Sequence, residues 1–121
     1  MLKIILPWPP HALWPNAHSL WQARARATLQ THAAAREATI LAAWDQGQSS
    51  ETIDLTRAEI PLEVTFHAST RRRYDKDGAI GACKGYFDGI AEALGVDDHH
   101  FSATPHRGEP VPGGQVVIVI R

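Results

Sequence analysis

The hydrophobic period changes twice between residue 60 and the end of this 121-residue chain, and that change limits the folds open to it. From 60 to 68, Leu62, Val64 and Phe66 alternate with Glu63, Thr65 and His67. A period of two marks a strand with one buried face. From 79 to 94, Ile80, Cys83, Phe87, Ile90 and Leu94 fall at helical spacing on one face, and Gly95 supplies a stop. Residues 101–107 read as a further strand. Residues 115–121 read as the last one, with Val116 to Ile120 apolar enough for burial on both faces.

The first half adds a strand and a second helix. Residues 2–6 form a short apolar run. The next ten residues hold four prolines, Pro7, Pro9, Pro10 and Pro15, and must be a loop, because proline lacks the N–H that helices and central strands use. Residues 20–44 are rich in Ala, Arg, Gln and Leu and read as a helix. Ser19 is the expected N-cap, Gly47 follows the end, and Trp21, Leu29, Ile40, Leu41 and Trp44 are expected to supply its buried stripe. Trp8 and Trp14 read as core or loop-packing residues, with base stacking by Trp14 as the alternative. The order β-α-β-α-β-β predicts one α+β domain over residues 1–121, with a mixed sheet of about four strands and two main helices.

Composition narrows the class. Apolar residues make up 44% and charged residues 21%, ordinary values for a globular domain. The terminal apolar run is too short to span a bilayer, and no membrane partner is expected. The start lacks the make-up of a signal peptide, and the lone Cys83 fits a reducing compartment, so a cytoplasmic location is expected. Cys83 lies on the apolar stripe and reads as a small core residue. The net charge of −1 argues against a protein that coats DNA generically. Its distribution tells more, because charges of each sign gather locally.

Residues 71–98 concentrate that charge. Arg71, Arg72 and Arg73 precede Asp75 and Asp77, and Asp97 and Asp98 follow the helix. Clustered carboxylates hold hard divalent cations through oxygen, and guanidinium groups hold phosphates. Together they point to metal-assisted chemistry on a phosphodiester. If the chain is extended at 75–77, Asp75 and Asp77 point to one side; the plainer alternative makes Asp77 the cap of the following helix and Asp75 a solvated loop residue. Lys84 and Asp88 fall near one line with Asp77 on a continuous helix, and by spacing alone they make an ordinary i,i+4 pair. His99, His100 and His106 lack the ligand spacing of a zinc site and read as surface residues.

The ordered set Arg72-Arg73-Tyr74-Asp75-Lys76-Asp77, Lys84, Asp88-Gly89-Ile90 and Gly95-Val96-Asp97-Asp98 resembles the RusA family of Holliday-junction resolvases. The opening Leu6-Pro7-Trp8-Pro9-Pro10 with Pro15-Asn16 is similar to that family's start. One position departs: the family commonly has Asn after the second aspartate, where this chain has Gly78. The resemblance implies an Mg²⁺-dependent endodeoxyribonuclease that nicks four-way DNA junctions. It implies catalytic roles for Asp75, Asp77, Lys84 and Asp98. Asp75, Asp77, Asp97 and Asp98 would be metal ligands, and Asn16, Arg71, Arg72 and Arg73 DNA contacts. The alternatives are a non-catalytic junction-binding protein and a metal-stabilised dimeric structural protein.

Helix length adds a constraint. A helix over 79–94 would be about 24 Å long, and the short segment from Leu94 to Asp98 spans at most ~14 Å. Asp98 then cannot easily return to Asp75 and Asp77 of its own chain. A homodimer with active sites shared between subunits is therefore expected. Gly81, Gly85 and Gly89, on the side opposite the apolar stripe, are the expected surface of close approach to a partner backbone or a nucleic-acid backbone, with neutral drift as the plainer alternative.

Overall fold

The computed structural model describes all 121 residues. Four strands, β1 (Leu2–Pro7), β2 (Ile60–His67), β3 (Phe101–Arg107) and β4 (Gln115–Ile120), form one mixed sheet in the order β1-β4-β2-β3. β4 pairs antiparallel with β1 and β2, while β3 lies parallel to β2. Three helices, α1 (Trp21–Asp45), α2 (Lys76–Ala82) and α3 (Lys84–Leu94), complete a small α+β domain. No helix is long and apolar enough to cross a membrane.

The alternation read in β2 holds: Ile60, Leu62, Val64 and Phe66 are fully buried. They join Leu2, Ile4 and Leu6 of β1 and Val116, Ile118 and Ile120 of β4 in one core. The expected two-sided burial of β4 does not hold throughout. Val119 is only half-buried and Ile5 is exposed, because the second face of the sheet carries no helical layer over them.

The predicted helix over 79–94 is two helices. It starts earlier, at Lys76, and breaks at Cys83, whose N–H donates to the Ile80 carbonyl three residues back instead of four. Gly78, Gly81 and Gly85 surround the break, and glycine weakens helix. The buried Cys83 side chain sits in the core at that point. Burial pushes its thiol pKa up to about 12, as suits an unreactive core residue. The stripe itself is as read, with Cys83 and Ile90 in the core and Ile80, Phe87 and Leu94 packed against it. Gly95 stops α3 in the left-handed region at φ 71°.

The two faces of α1 are reversed relative to expectation. Trp21, Leu29, Ile40, Leu41 and Trp44 are 74%, 72%, 44%, 56% and 85% exposed. The buried face is Ala27, Thr31, Ala35 and Thr39, one small residue per turn. Their spacing meets Gly85 and Gly89 of α3. A Cβ at Gly85 would overlap Thr31 Oγ1, and one at Gly89 would overlap the His32 carbonyl and lie 2.9 Å from Arg36 N. The two backbones approach because neither carries bulk at the contact. The buried hydroxyls are satisfied inside α1: Thr31 Oγ1 donates to the Ala27 carbonyl at 2.9 Å and Thr39 Oγ1 to the Ala35 carbonyl at 2.6 Å. Leu20, not Ser19, is the N-cap, and no side chain caps this end.

Gly85 and Gly89, two of the three glycines expected to receive a second chain, are thus covered by α1 of the same chain, while Gly81 stays exposed near Pro15. A dimer cannot be built on Gly85 and Gly89.

Candidate functional site

The crossover from β2 through α2 and α3 to β3 distributes the charged residues to the two ends of the sheet. β2 and β3 are parallel, so the chain leaves β2 at its C-terminal end and enters β3 beside the N-terminal end of β2. Tyr74, next to Asp75, packs on Phe66 with ring centroids 6.1 Å apart. His100, two residues after Asp98, places Nδ1 3.1 Å from the Ala58 carbonyl, just before β2 begins. The six steps from Ile60 to Phe66 separate these anchors by about 20 Å at ~3.3 Å per residue.

At the first end, Asp75 and Asp77 do not form the extended pair. Asp75 is the N-cap of α2, and its carboxylate accepts the Asp77 N–H at 3.1 Å. Asp77 lies in the first turn, where an acidic side chain is favoured by the helix dipole. The plain capping alternative thus holds with Asp75 as the cap in place of Asp77, and Asp77 lies in the helix instead of a loop. Both carboxylates are exposed. Gly78 packs beside the cap: a Cβ there would lie 3.4 Å from Asp75 Oδ2.

The three arginines divide. Arg71 pairs with Glu109 at 3.1 Å, both highly exposed. Arg72 and Arg73 line a cavity of about 280 Å³ with Trp8, Trp14, His11 and Tyr74. Trp8 and Trp14 stack at 5.7 Å, and Tyr74 meets Trp8 edge-on at 5.5 Å. Arg107, which sequence reasoning did not single out, sits 4.5 Å over the Tyr74 ring. Burial raises the Tyr74 phenol pKa, with Arg107 acting the other way. Asn16 is exposed in the turn that follows Trp14.

The other end is acidic. Asp88, Asp98, Asp97, Glu92 and His32 line one shallow groove. Burial raises the Asp88 pKa first, and the neighbouring Asp98 carboxyl raises it further, while Lys84 and His32 partly offset both. Lys84 and Asp88 therefore keep the i,i+4 relation read from sequence, but the break at Cys83 removes Asp77 from their helix. Asp97 is drawn into a cap: its carboxylate accepts the His99 N–H at 3.0 Å and pairs with the His99 ring. That hydrogen bonding holds its pKa below the ordinary value. Glu92 pairs with His32 and lies 3.4 Å from Arg36 Nε, and its pKa is also lowered, chiefly by His32.

Nowhere does this chain gather three His, Cys, Asp or Glu side chains around one cation position. Asp98 is brought to Asp88, and Asp75 to Asp77, but the two pairs stay apart. Asp88 and His32 are contributions the sequence reading left out of the site. His32 arrives because α1 packs on α3, and the matched small-residue spacing of Ala27, Thr31 and Ala35 against Gly85 and Gly89 is the signal that could have placed it. Among the other histidines, His106 pairs with Glu63 on the open face of the sheet, away from the acidic groove.

No protein-family model matches the chain. It is 36% identical, over 99% of its length and 76% of the relative's, to a protein of Xylella fastidiosa (strain Temecula1 / ATCC 700964) described as uncharacterized. The chain belongs to the family of that protein.

Proposed function

We propose that the protein is an Mg²⁺-dependent, structure-specific endodeoxyribonuclease of RusA type that nicks four-way DNA junctions in the cytoplasm. The observation that carries this reading is the ordered acidic and basic set from Arg72 to Asp98, together with the Asp88–Asp98 contact. Two carboxylates facing each other repel unless a proton or cation lies between them. Their oxygens suit a hard divalent ion. Such an ion supplies water activation and charge neutralisation at a phosphodiester. Lys84, one turn from Asp88, adds positive charge beside that position, where negative charge would build in the transition state. Arg72 and Arg73 would hold DNA through phosphates, which positions the strand without reading its sequence.

The separation of the two acidic pairs favours a composite site. Asp75 and Asp77 of one chain would complete the Asp88–Asp98 pair of another, giving two sites in a two-fold dimer to match a two-fold junction. α1 closes Gly85 and Gly89 to that dimer. The test mixes two inactive proteins. Subunits carrying Asp75→Asn with Asp77→Asn and subunits carrying Asp98→Asn should recover single nicks in a labelled junction. A proven heterodimer that stays inactive would sink the shared site.

A second reading, a junction-binding protein without cleavage, is favoured by the two-carboxylate count within one chain and by Gly78 in place of Asn. Incubation with labelled four-way junction and plain duplex, with and without Mg²⁺, separates the two. Magnesium-dependent nicks support the nuclease. Salt-sensitive binding without nicks supports the second reading.

A further inference from the structure

We propose that the cavity between the proline-rich loop and the exit of β2 holds one unpaired nucleotide of a DNA strand, its base on the tryptophans and its phosphate on Arg72 and Arg73. The inference deepens the proposed function by naming a part of the substrate that the protein grips, and it rests on that reading for the choice of DNA.

The cavity's chemistry sets the ligand class. At about 280 Å³ it lies just under the usual range of small-ligand pockets, roughly 300–1,000 Å³, and has no room for a duplex. Its walls offer flat aromatic surface from Trp8, Trp14 and Tyr74. Arg72 and Arg73 at its edge have no carboxylate partner in the chain, unlike Arg71. A planar ring that carries a phosphate fits both features. Bases stack on aromatic side chains without regard to sequence, and guanidinium groups bind phosphate in a two-pronged manner.

The walls are also fixed before any ligand arrives. Trp14 Nε1 donates to the Pro9 carbonyl at 3.3 Å, and Trp8 stacks against Trp14. Phe66 meets Trp8 edge-on at 6.0 Å from the core side. The prolines stiffen the loop that carries both tryptophans. Little side-chain freedom remains to be lost on binding, which favours affinity. Packing alone explains the Trp8 edge on Phe66. It leaves the paired faces and free guanidinium groups around an open cavity without a use.

The test is run in EDTA, so that cleavage plays no part. In a Trp21→Phe/Trp44→Phe background, excited at the red edge where tyrosine does not absorb, only Trp8 and Trp14 fluoresce. An eight-residue oligo(dT) should quench them and saturate, while a blunt duplex without unpaired bases should not. Trp14→Ala should weaken oligo(dT) binding about 5- to 150-fold, the range for loss of one stacked base. Arg72→Ala with Arg73→Ala alters only exposed side chains, and it should weaken binding at least tenfold with unchanged circular dichroism. Absence of quenching, or equal affinity in the arginine variant and wild type, would overturn the proposal. Binding of dTMP as tight as that of oligo(dT) would overturn the strand form and assign the cavity to free nucleotides. Quenching with no Mg²⁺-dependent nicking in a parallel assay would leave this pocket standing and reject the nuclease.

Discussion

The two ends of β2 are built by opposite means. At the C-terminal end, apolar packing comes first: Phe66, Trp8, Trp14 and Tyr74 hold one another, and the charges of Arg72, Arg73 and Arg107 are arranged on that frame. At the N-terminal end, charge comes first: Asp88 and Asp98 face each other in a shallow groove, with His32, Lys84 and Glu92 as neighbours. The first end holds its shape by packing alone. The second carries a repulsion that Lys84 and His32 only partly offset, and a cation, a proton or a second chain would relieve it further. Under the proposed function the rigid first end grips DNA and the charged second end holds the metal, with Asp75 and Asp77 reaching it from the first end of another chain.

The largest expected effect would break that division outright. Asp98→Asn, Asp75→Asn and Asp77→Asn should each reduce junction cleavage on the order of 100- to 1,000-fold, the usual loss of one electrostatic stabiliser. Binding, read by gel shift in EDTA, should change little. Lys84→Ala should likewise slow turnover of bound junction with little change in affinity. Wild-type rates in the aspartate variants would end the metal-site reading. A Lys84→Ala variant that loses affinity but not turnover would move Lys84 to the binding end.

Stability gives the next effect. Gly89 lies under the acidic groove, where α3 meets the α1 backbone. Gly89→Leu should cost about 3 kcal/mol, the upper part of the range for overpacking. Its thermal midpoint should fall on the order of 10 °C. Because the contact is within one chain, the loss should be independent of protein concentration. A midpoint that falls only at low concentration would return the glycine face to a dimer interface. At the other end, Arg107→Ala removes the cation over Tyr74 and should cost only about 0.5–1 kcal/mol by denaturant titration.

The sequence made the sheet legible because strand alternation in β2 and the apolar run of β4 both report burial directly. The α3 stripe was legible for the same reason. α1 was not. Its buried face is Ala27, Thr31, Ala35 and Thr39, residues that a hydrophobic pattern does not mark, while its large apolar residues face outward. Close approach of backbones, not apolar area, fixes that helix. The glycine spacing in α3 did announce a close approach, but one chain cannot say from which molecule the partner comes. For the candidate site, the residue types at 71–77 and 84–98 were legible, and their grouping was not. Capping claimed Asp75 and Asp97, and the break at Cys83 separated Asp77 from Lys84. These are local backbone events that spacing on an ideal helix does not anticipate.

The smallest effect is the sharpest probe of the acidic end. The folded-state pKa of Asp88 is raised above its ordinary value of 3.8 by burial and then by Asp98. A raised carboxyl pKa means that the folded state binds a proton more tightly than the unfolded chain does. The stabilisation is therefore full below the ordinary aspartate pKa and is lost as pH rises through the folded value. At neutral pH without metal, ionised Asp88 destabilises the fold. Asp88→Asn should then raise the thermal midpoint at pH 7 in EDTA, and that gain should vanish below the ordinary aspartate pKa. Added Mg²⁺ should stabilise the wild type by mass action and leave Asp88→Asn nearly unmoved. A variant less stable than wild type at pH 7 in EDTA would show that Asp88 serves the fold through Lys84 and His32, and that the second end is as fully balanced as the first.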